Sequence, residues 1–176
     1  MRTPNKLRID KVGKAGLVIL SLLFGTVMSV RAQEFVTLSL SGSSVNFSLT
    51  TGSANNPGSV SITSTATWDL RPNRDSLNVY AYFTNAAAAL SNGAGNNIPS
   101  ANFQISDNGG AFQALTNTVP FGGANAGLQL SNGRILGNSK TGTRIDTMNF
   151  NIDLSTLPNL PPGVYGGSLV IQVQVI

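Results

Sequence analysis

Apolar and polar residues alternate with a period of two through most of the chain after residue 33, which confines it to extended segments with one buried face. In Val60–Leu70, Val60, Ile62, Ala66, Trp68 and Leu70 share one side, with Ser64 a small member of it, and Ser61, Thr63, Thr65, Thr67 and Asp69 fill the other. Leu77, Val79, Ala81 and Phe83 alternate with Asn78, Tyr80, Tyr82 and Thr84. Met148, Phe150, Ile152 and Leu154 alternate with Asn149, Asn151 and Asp153. The end of the chain sets Leu169, Ile171, Val173 and Val175 against Val170, Gln172, Gln174 and Ile176. These four runs are read as strands.

Shorter runs surround them. Glu34–Ser41 alternates Val36, Leu38 and Leu40 with Thr37, Ser39 and Ser41, and Val45, Phe47 and Leu49 begin another run after Gly42. Ala101, Phe103 and Ile105 lead into Asp107-Asn108-Gly109-Gly110 and then Ala111–Leu115, a β-hairpin pattern, because Asn and Gly tolerate the positive φ of a tight turn. Leu128 and Leu130, then Ser131-Asn132-Gly133, then Arg134–Leu136 read as a second hairpin. Asn85–Leu90 is the one helix candidate, too short to stand alone and equally readable as a loop or single turn. Arg71–Asp75, the Gly/Asn-rich Ser91–Pro99 and the proline-rich Leu157–Gly163 supply turns between the runs. The expected fold is all-β, an immunoglobulin-like antiparallel β-sandwich, with a closed β-barrel as the alternative.

The formal net charge of +4 points toward nucleic acid until the charges are located. Arg2, Lys6, Arg8, Lys11, Lys14 and Arg31 all precede Gln33, offset there only by Asp10. The remainder carries five basic residues against six acidic ones. A nearly neutral body lacks the clustered Lys/Arg that a phosphate backbone requires, so no nucleic-acid partner is expected. The basic start, the apolar stretch Ala15–Val30 and the aliphatic Val30 and small Ala32 at the −3 and −1 positions of a cleavage site have the three parts of a secretory signal. The expectation is a signal peptide over residues 1–32, cleaved after Ala32, and a single domain over 33–176. Membrane contact is then confined to the leader. An exported bacterial protein residing in the periplasm, on the outer surface or outside the cell follows. The sequon at Asn46-Phe47-Ser48 is in that setting incidental.

The chain contains neither cysteine nor histidine. No disulfide can staple the exported domain, so its core must hold it alone. Thiol nucleophiles, Cys/His zinc sites and a Ser-His-Asp triad are likewise impossible. A carboxylate pair and a Ser–Lys dyad remain. Asp69 and Asp153 alternate with apolar neighbours and are expected to face solvent, Asp107 sits in a turn, and Asp75 lies beside Arg74 in a loop. Ser139-Lys140 lies in a glycine-flanked segment, where a lysine is expected to stay charged and hydrated at a surface turn. Asp107-Asn108-Gly109 has the start of a calcium loop without the later Glu that completes it. Neither a catalytic residue, a metal nor a cofactor is expected. Trp68 shares a face with Ile62 and belongs to the core. Tyr80 and Tyr82 lie opposite Val79 and Ala81, which makes them the candidate ligand contacts.

The closing segment runs Pro162-Gly163-Val164-Tyr165-Gly166-Gly167 and then Ser168 to Ile176, with Leu169, Ile171, Val173 and Val175 on one side. It resembles the last strand of secreted bacterial fimbrial subunits and of the spore coat protein U-like group, which end in a Pro-Gly-x-Tyr corner followed by an alternating strand. The resemblance is confined to this segment. It departs at Val175, where many pilins carry an aromatic, and in the disulfide this chain cannot form. It implies an immunoglobulin-like sandwich lacking a strand and completed by a neighbour's N-terminal extension. The matching donor positions are Val36, Leu38 and Leu40, and Leu169, Ile171, Val173 and Val175 of the closing strand are the other candidate strand-pairing positions. The residues themselves supply enough strands for a complete sandwich in which Glu34–Ser41 pairs within its own domain, and that arrangement is preferred. The functional expectation is therefore an exported, non-catalytic structural or interaction module, fimbria-like, that pairs strands with itself or another envelope protein. A carbohydrate- or small-ligand-binding module is the alternative.

Overall fold

A computed structural model describes residues 34–118, 126–135 and 140–176. The expected leader, the cleavage site, Ser139 and Leu136 lie outside the described residues. Ten strands account for most of the regular structure: β1 (Phe35–Leu40), β2 (Ile62–Asp69), β3 (Ser76–Phe83), β4 (Leu90–Ser91), β5 (Asn97–Ile98), β6 (Phe103–Asp107), β7 (Gln113–Ala114), β8 (Gly127–Arg134), β9 (Thr141–Ile152) and β10 (Leu169–Val175). The larger sheet has the order β1-β2-β9-β6-β7 and the smaller β10-β3-β8, with β4 and β5 forming a separate ribbon. All pairings are antiparallel. Each sheet ends in edge strands, so the architecture is an all-β sandwich and the closed barrel is ruled out.

Alternation produces the core as expected. Ile62, Ser64 and Ala66 are buried along β2 while Thr63, Thr65 and Thr67 are half-buried between them. The inward rows of both sheets meet around Phe103. Its ring makes edge contacts with Phe83 of the smaller sheet at 5.1 Å between centroids and with Phe47 at 5.8 Å, and a tilted contact with Phe150 at 6.0 Å. Edge-on aromatic contacts add to the gain from burying apolar area. A second, smaller cluster forms at the other end from Ala66, Leu77 and Val79, with Val36, Leu38, Trp68, Val173 and Val175 packed against it.

The long segment between β1 and β2 has almost no strand structure. Val45, Phe47 and Leu49 do not form the expected strand; they are half-buried against the main core, and Phe47 makes one bridge to Gly58. Side-chain amides replace a ladder there. The buried Asn56 accepts from Thr50 N–H and donates to the Ser53 and Ile152 carbonyls, while its own N–H donates to Asn151 Oδ1 at 2.8 Å. This satisfies loop groups that would otherwise be buried without partners.

The hairpin at Asp107–Gly110 is present, with Asn108 at φ 50° and Gly109 at φ 76°. The second expected hairpin is not: Ser131-Asn132-Gly133 lies inside the continuous strand β8, where Asn132 pairs with Asn78 and Gly133 with Leu77. The Asn-Gly signal is overridden because β3 offers a full-length partner, and Gly133 gives Arg144 room, its Nη1 lying 3.5 Å from where a Cβ would stand. The helix candidate is a single 3₁₀ turn, Ala86–Ala88, capped by Asn85 Oδ1. The proline-rich corner is closed by Tyr165, whose hydroxyl donates to the Pro161 carbonyl at 2.8 Å.

Phe103→Ala should cost about 3–5 kcal/mol in a denaturant titration, since it empties the contact between the sheets. Gly142→Ala should cost about 1–3 kcal/mol by overpacking, because a Cβ there would stand 2.6 Å from Trp68 Cζ2.

Candidate functional site

The two sheet edges on one flank of the sandwich belong to β1 and β10, and side chains of both line an opening between them. Val36 and Leu38 are half-buried and Leu40 is 44 % exposed, on a strand paired in register to β2 of the same chain, Leu38 opposite Ala66. Arg74 Nε donates to Glu34 at 2.8 Å, and Arg71 lies 3.4 Å from the same carboxylate, so the start of β1 lies beside the β2–β3 turn. Leu169, Ile171, Val173 and Val175 are half-buried on β10 and paired to Phe83, Ala81, Val79 and Leu77. Among the described residues, no strand is hydrogen-bonded to the other edge of β10.

Beyond Leu40 the chain leaves the sheet, and the space between residues 40–47 and 165–171 is a groove of about 420 Å³. Its floor is apolar: Ile62, Phe83, Leu90, Phe103, Met148 and Phe150. Close approach of backbone shapes the walls. A Cβ on Gly42 would stand 2.9 Å from Ile62 Cδ1, and one on Gly167 would collide with the Ala89 carbonyl oxygen. Ser91 and Gly166 exchange backbone hydrogen bonds at 2.9 and 3.0 Å, fixing the corner from which β10 departs. The β10 sequence LVIQVQV contains no charge, proline or bulge, the devices by which edge strands usually avoid pairing.

The tyrosines do not form an exposed pair. Both project from the face of β3 opposite the core, as their alternation requires, but Tyr80 is only 7 % exposed and Tyr82 is half-buried. As the middle strand of its sheet, β3 has its side chains flanked on both sides, which sequence alternation alone does not reveal.

Two carboxylates that the sequence kept apart are brought together. Asp146 faces inward and is 1 % exposed, with both oxygens accepting from Arg144 Nε at 2.9 and 2.8 Å. The Asn108 amide donates to Asp146 Oδ1 at 2.9 Å and to Asp107 Oδ2 at 3.2 Å, while its carbonyl accepts from Thr147 N–H. Asp107 Oδ1 has no hydrogen-bond partner among the described residues. Burial, then the neighbouring Asp146 charge, push the Asp107 carboxyl above its ordinary value against the opposing pull of Arg144 and Asn108. Asp146 is sealed from solvent, so it cannot act as a base toward an external substrate. The group clasps the β6–β7 turn to β9.

Lys140 corrects a second expectation. It is 6 % exposed rather than hydrated, with Nζ donating to the Ile135 carbonyl at 2.9 Å and facing Asp75 at 3.4 Å. The loop spacing gave no sign of this, because the carbonyl that receives the ammonium is fixed only once β8 has paired. Asp69 and Asp153 are half-buried. Hydrogen bonds from the Ser155 hydroxyl and backbone N–H hold the Asp153 carboxyl below its usual value. Among the described residues, no group of three or more acidic side chains is placed to hold a metal ion, and no helix is long and apolar enough to cross a membrane.

A carboxyl whose value is raised on folding binds protons more readily in the folded state. Its contribution to stability is therefore greatest in acid and is lost as pH rises through the raised value. Asp107→Asn should accordingly raise the unfolding temperature at neutral pH, with the gain shrinking as the solution is acidified toward the ordinary aspartate range. Paired thermal melts across that range check the sign.

Neither a protein-family model nor a curated protein matches this chain.

Proposed function

We propose that this chain is an exported, non-catalytic structural module of the cell envelope or extracellular space, fimbria-like in its assembly. Its working surface is the outer edge of β10 together with the adjoining groove, and its occupant is an extended apolar segment from a second copy. The observation that carries this reading is the uncharged edge of β10, unpaired among the described residues, beside a groove floored by Phe83, Phe103 and Phe150. Strand addition needs both parts: free backbone groups supply affinity, and pockets for alternate side chains supply selectivity.

Strand order supports it. An immunoglobulin constant-type sandwich pairs one sheet as A-B-E-D and places the last two strands, F and G, beside C. Here β1-β2-β9-β6 follows the first pattern, and β10 lies directly on β3, in the position of F. The position of G, next to β10, is filled by no described strand. The resemblance of Pro162–Ile176 to fimbrial closing strands points the same way. The segment with the matching alternation is Phe35–Leu40, which lies at an edge and has an exposed last member. Its ion pairs with Arg71 and Arg74 are of the partly exposed kind that contribute little to holding a strand in place.

Size-exclusion chromatography with light scattering on Gln33–Ile176, with and without Gln33–Ser41, tests the proposal. Concentration-dependent association that disappears on deletion, and binding of a Gln33–Ser41 peptide to the shortened protein, are expected. A protein that stays monomeric at high concentration and binds no such peptide would falsify strand exchange.

A further inference from the structure

On the flank where a strand would join β10, the chain's own β1 already stands. Strands packed face to face lie about 10 Å apart, because a layer of side chains from each fills the gap. Cα atoms of β1 come within 8 Å of those of β10, so the two edges pinch together. That gap holds the side chains of β1 and leaves no layer for the inward side chains of a strand added beside β10. No backbone pairing accompanies the approach, since β1 makes its ladder with β2.

The contact follows both strands along their length. Val36 and Leu38 share the smaller cluster with Val173 and Val175, and Leu40 lines the groove with Leu169 and Ile171. The donor row of the proposed assembly thus covers, in the free subunit, the β10 row that a neighbour's copy of it would cover. Only beyond Leu40, where the chain leaves the sheet, does the groove open.

The way out is local. Ser41 is tied to β2, its N–H donating to the Thr63 carbonyl and its Oγ accepting from Thr63 N–H, both at 2.9 Å. Asn46 is tied to Ser59, its N–H donating to Oγ and its carbonyl accepting from Ser59 N–H. Between these points Gly42-Ser43-Ser44 form part of the groove wall, with both serines exposed. A pivot in this stretch leaves Val45, Phe47 and Leu49 packed on the main core.

We propose that β1 is an autoinhibitory strand. Docked on its own β2, it shuts the inward side of β10 against a neighbour's strand; pivoting at Gly42–Ser44, it opens that side and becomes a donor in the same movement. The inference rests on strand addition to β10 being the mode of assembly. A subunit that has given its strand is then the one able to receive, so growth is head to tail and open-ended. The backbone bonds that β1 gives up on β2 it regains on the neighbour's β10, which leaves the balance to protein concentration.

The chain contains no cysteine, so one engineered pair can lock β1 in place. Thr37 and Thr67 are directly opposed, with Thr37 exposed on the outer side of the sheet. Opposed residues of antiparallel strands have Cα atoms about 4.5–5.5 Å apart, within disulfide reach. The exported chain Gln33–Ile176 with Thr37→Cys/Thr67→Cys is compared oxidised and reduced, by light scattering and by titration with a labelled Gln33–Ser41 peptide. Ser39→Cys/Thr65→Cys, the next outward pair, serves if the first bridge does not form. The reduced protein should associate like the unsubstituted chain and take up peptide. The oxidised protein should stay monomeric and bind peptide at least about tenfold more weakly, because its binding-competent state is withheld. Reductant should restore both. Undiminished association of the oxidised protein, or equal peptide affinity in the two states, would overturn the autoinhibition while leaving strand addition standing. Neither association nor peptide binding in any state, the unsubstituted chain included, would overturn strand addition and this inference together.

Discussion

The contact of Phe103 with Phe83 is where the two sheets are joined, and the rest of the domain is arranged around it. Without cysteine, nothing covalent holds one sheet against the other, so the inward rows must supply the attraction by burying apolar area. Phe103 reaches the smaller sheet through Phe83 and the irregular segment after β1 through Phe47. The same rings form the floor of the groove. Stability and the opening are therefore built from one set of side chains.

The interior is not uniformly apolar, and its polar members mark where segments without a ladder are fastened. Asn56 and Asn151 fix the loop between β1 and β2 to the end of β9 through amide bonds. Asn108, Asp146 and Arg144 fasten the β6–β7 turn. Lys140 closes the start of β9 onto Ile135. A buried charge or amide is tolerable only when partnered, so each of these demands a particular backbone position around it. Asp107 Oδ1, Asn78 Oδ1, Ser131 Oγ and Trp68 Nε1 have no partner among the described residues, and the first belongs to a clasp that has one carboxylate too many.

The proposed working surface is a consequence of β10 being an edge strand among the described residues. Leu169 and Ile171 line the groove, no described strand pairs with its outer edge, and its outward glutamines are exposed. One strand with a two-residue repeat thus serves two sides with different chemistry, apolar on one and amide on the other. Because they lie on opposite faces of the strand, a change to one need not disturb the other.

Reading residues in order located β2, β3, β10 and the second half of β9, where a face alternates cleanly into the core, and it located the Asp107–Gly110 turn, where Asn and Gly supply positive φ locally; it missed the first half of β9, where Ile145 is exposed and Asp146 is buried. It failed at β8, where Asn132-Gly133 has the local chemistry of a turn but a long partner strand keeps it extended. It also failed at Lys140 and at Tyr80, whose burial comes from neighbours distant in sequence. The pairing of Asp107 with Asp146 joined residues that no local pattern connects. Alternation is a property of one strand, and sequence alone determined it. Which strands are neighbours, which edge stays unpaired and which polar groups meet are properties of register between strands, and only the tertiary structure decided them.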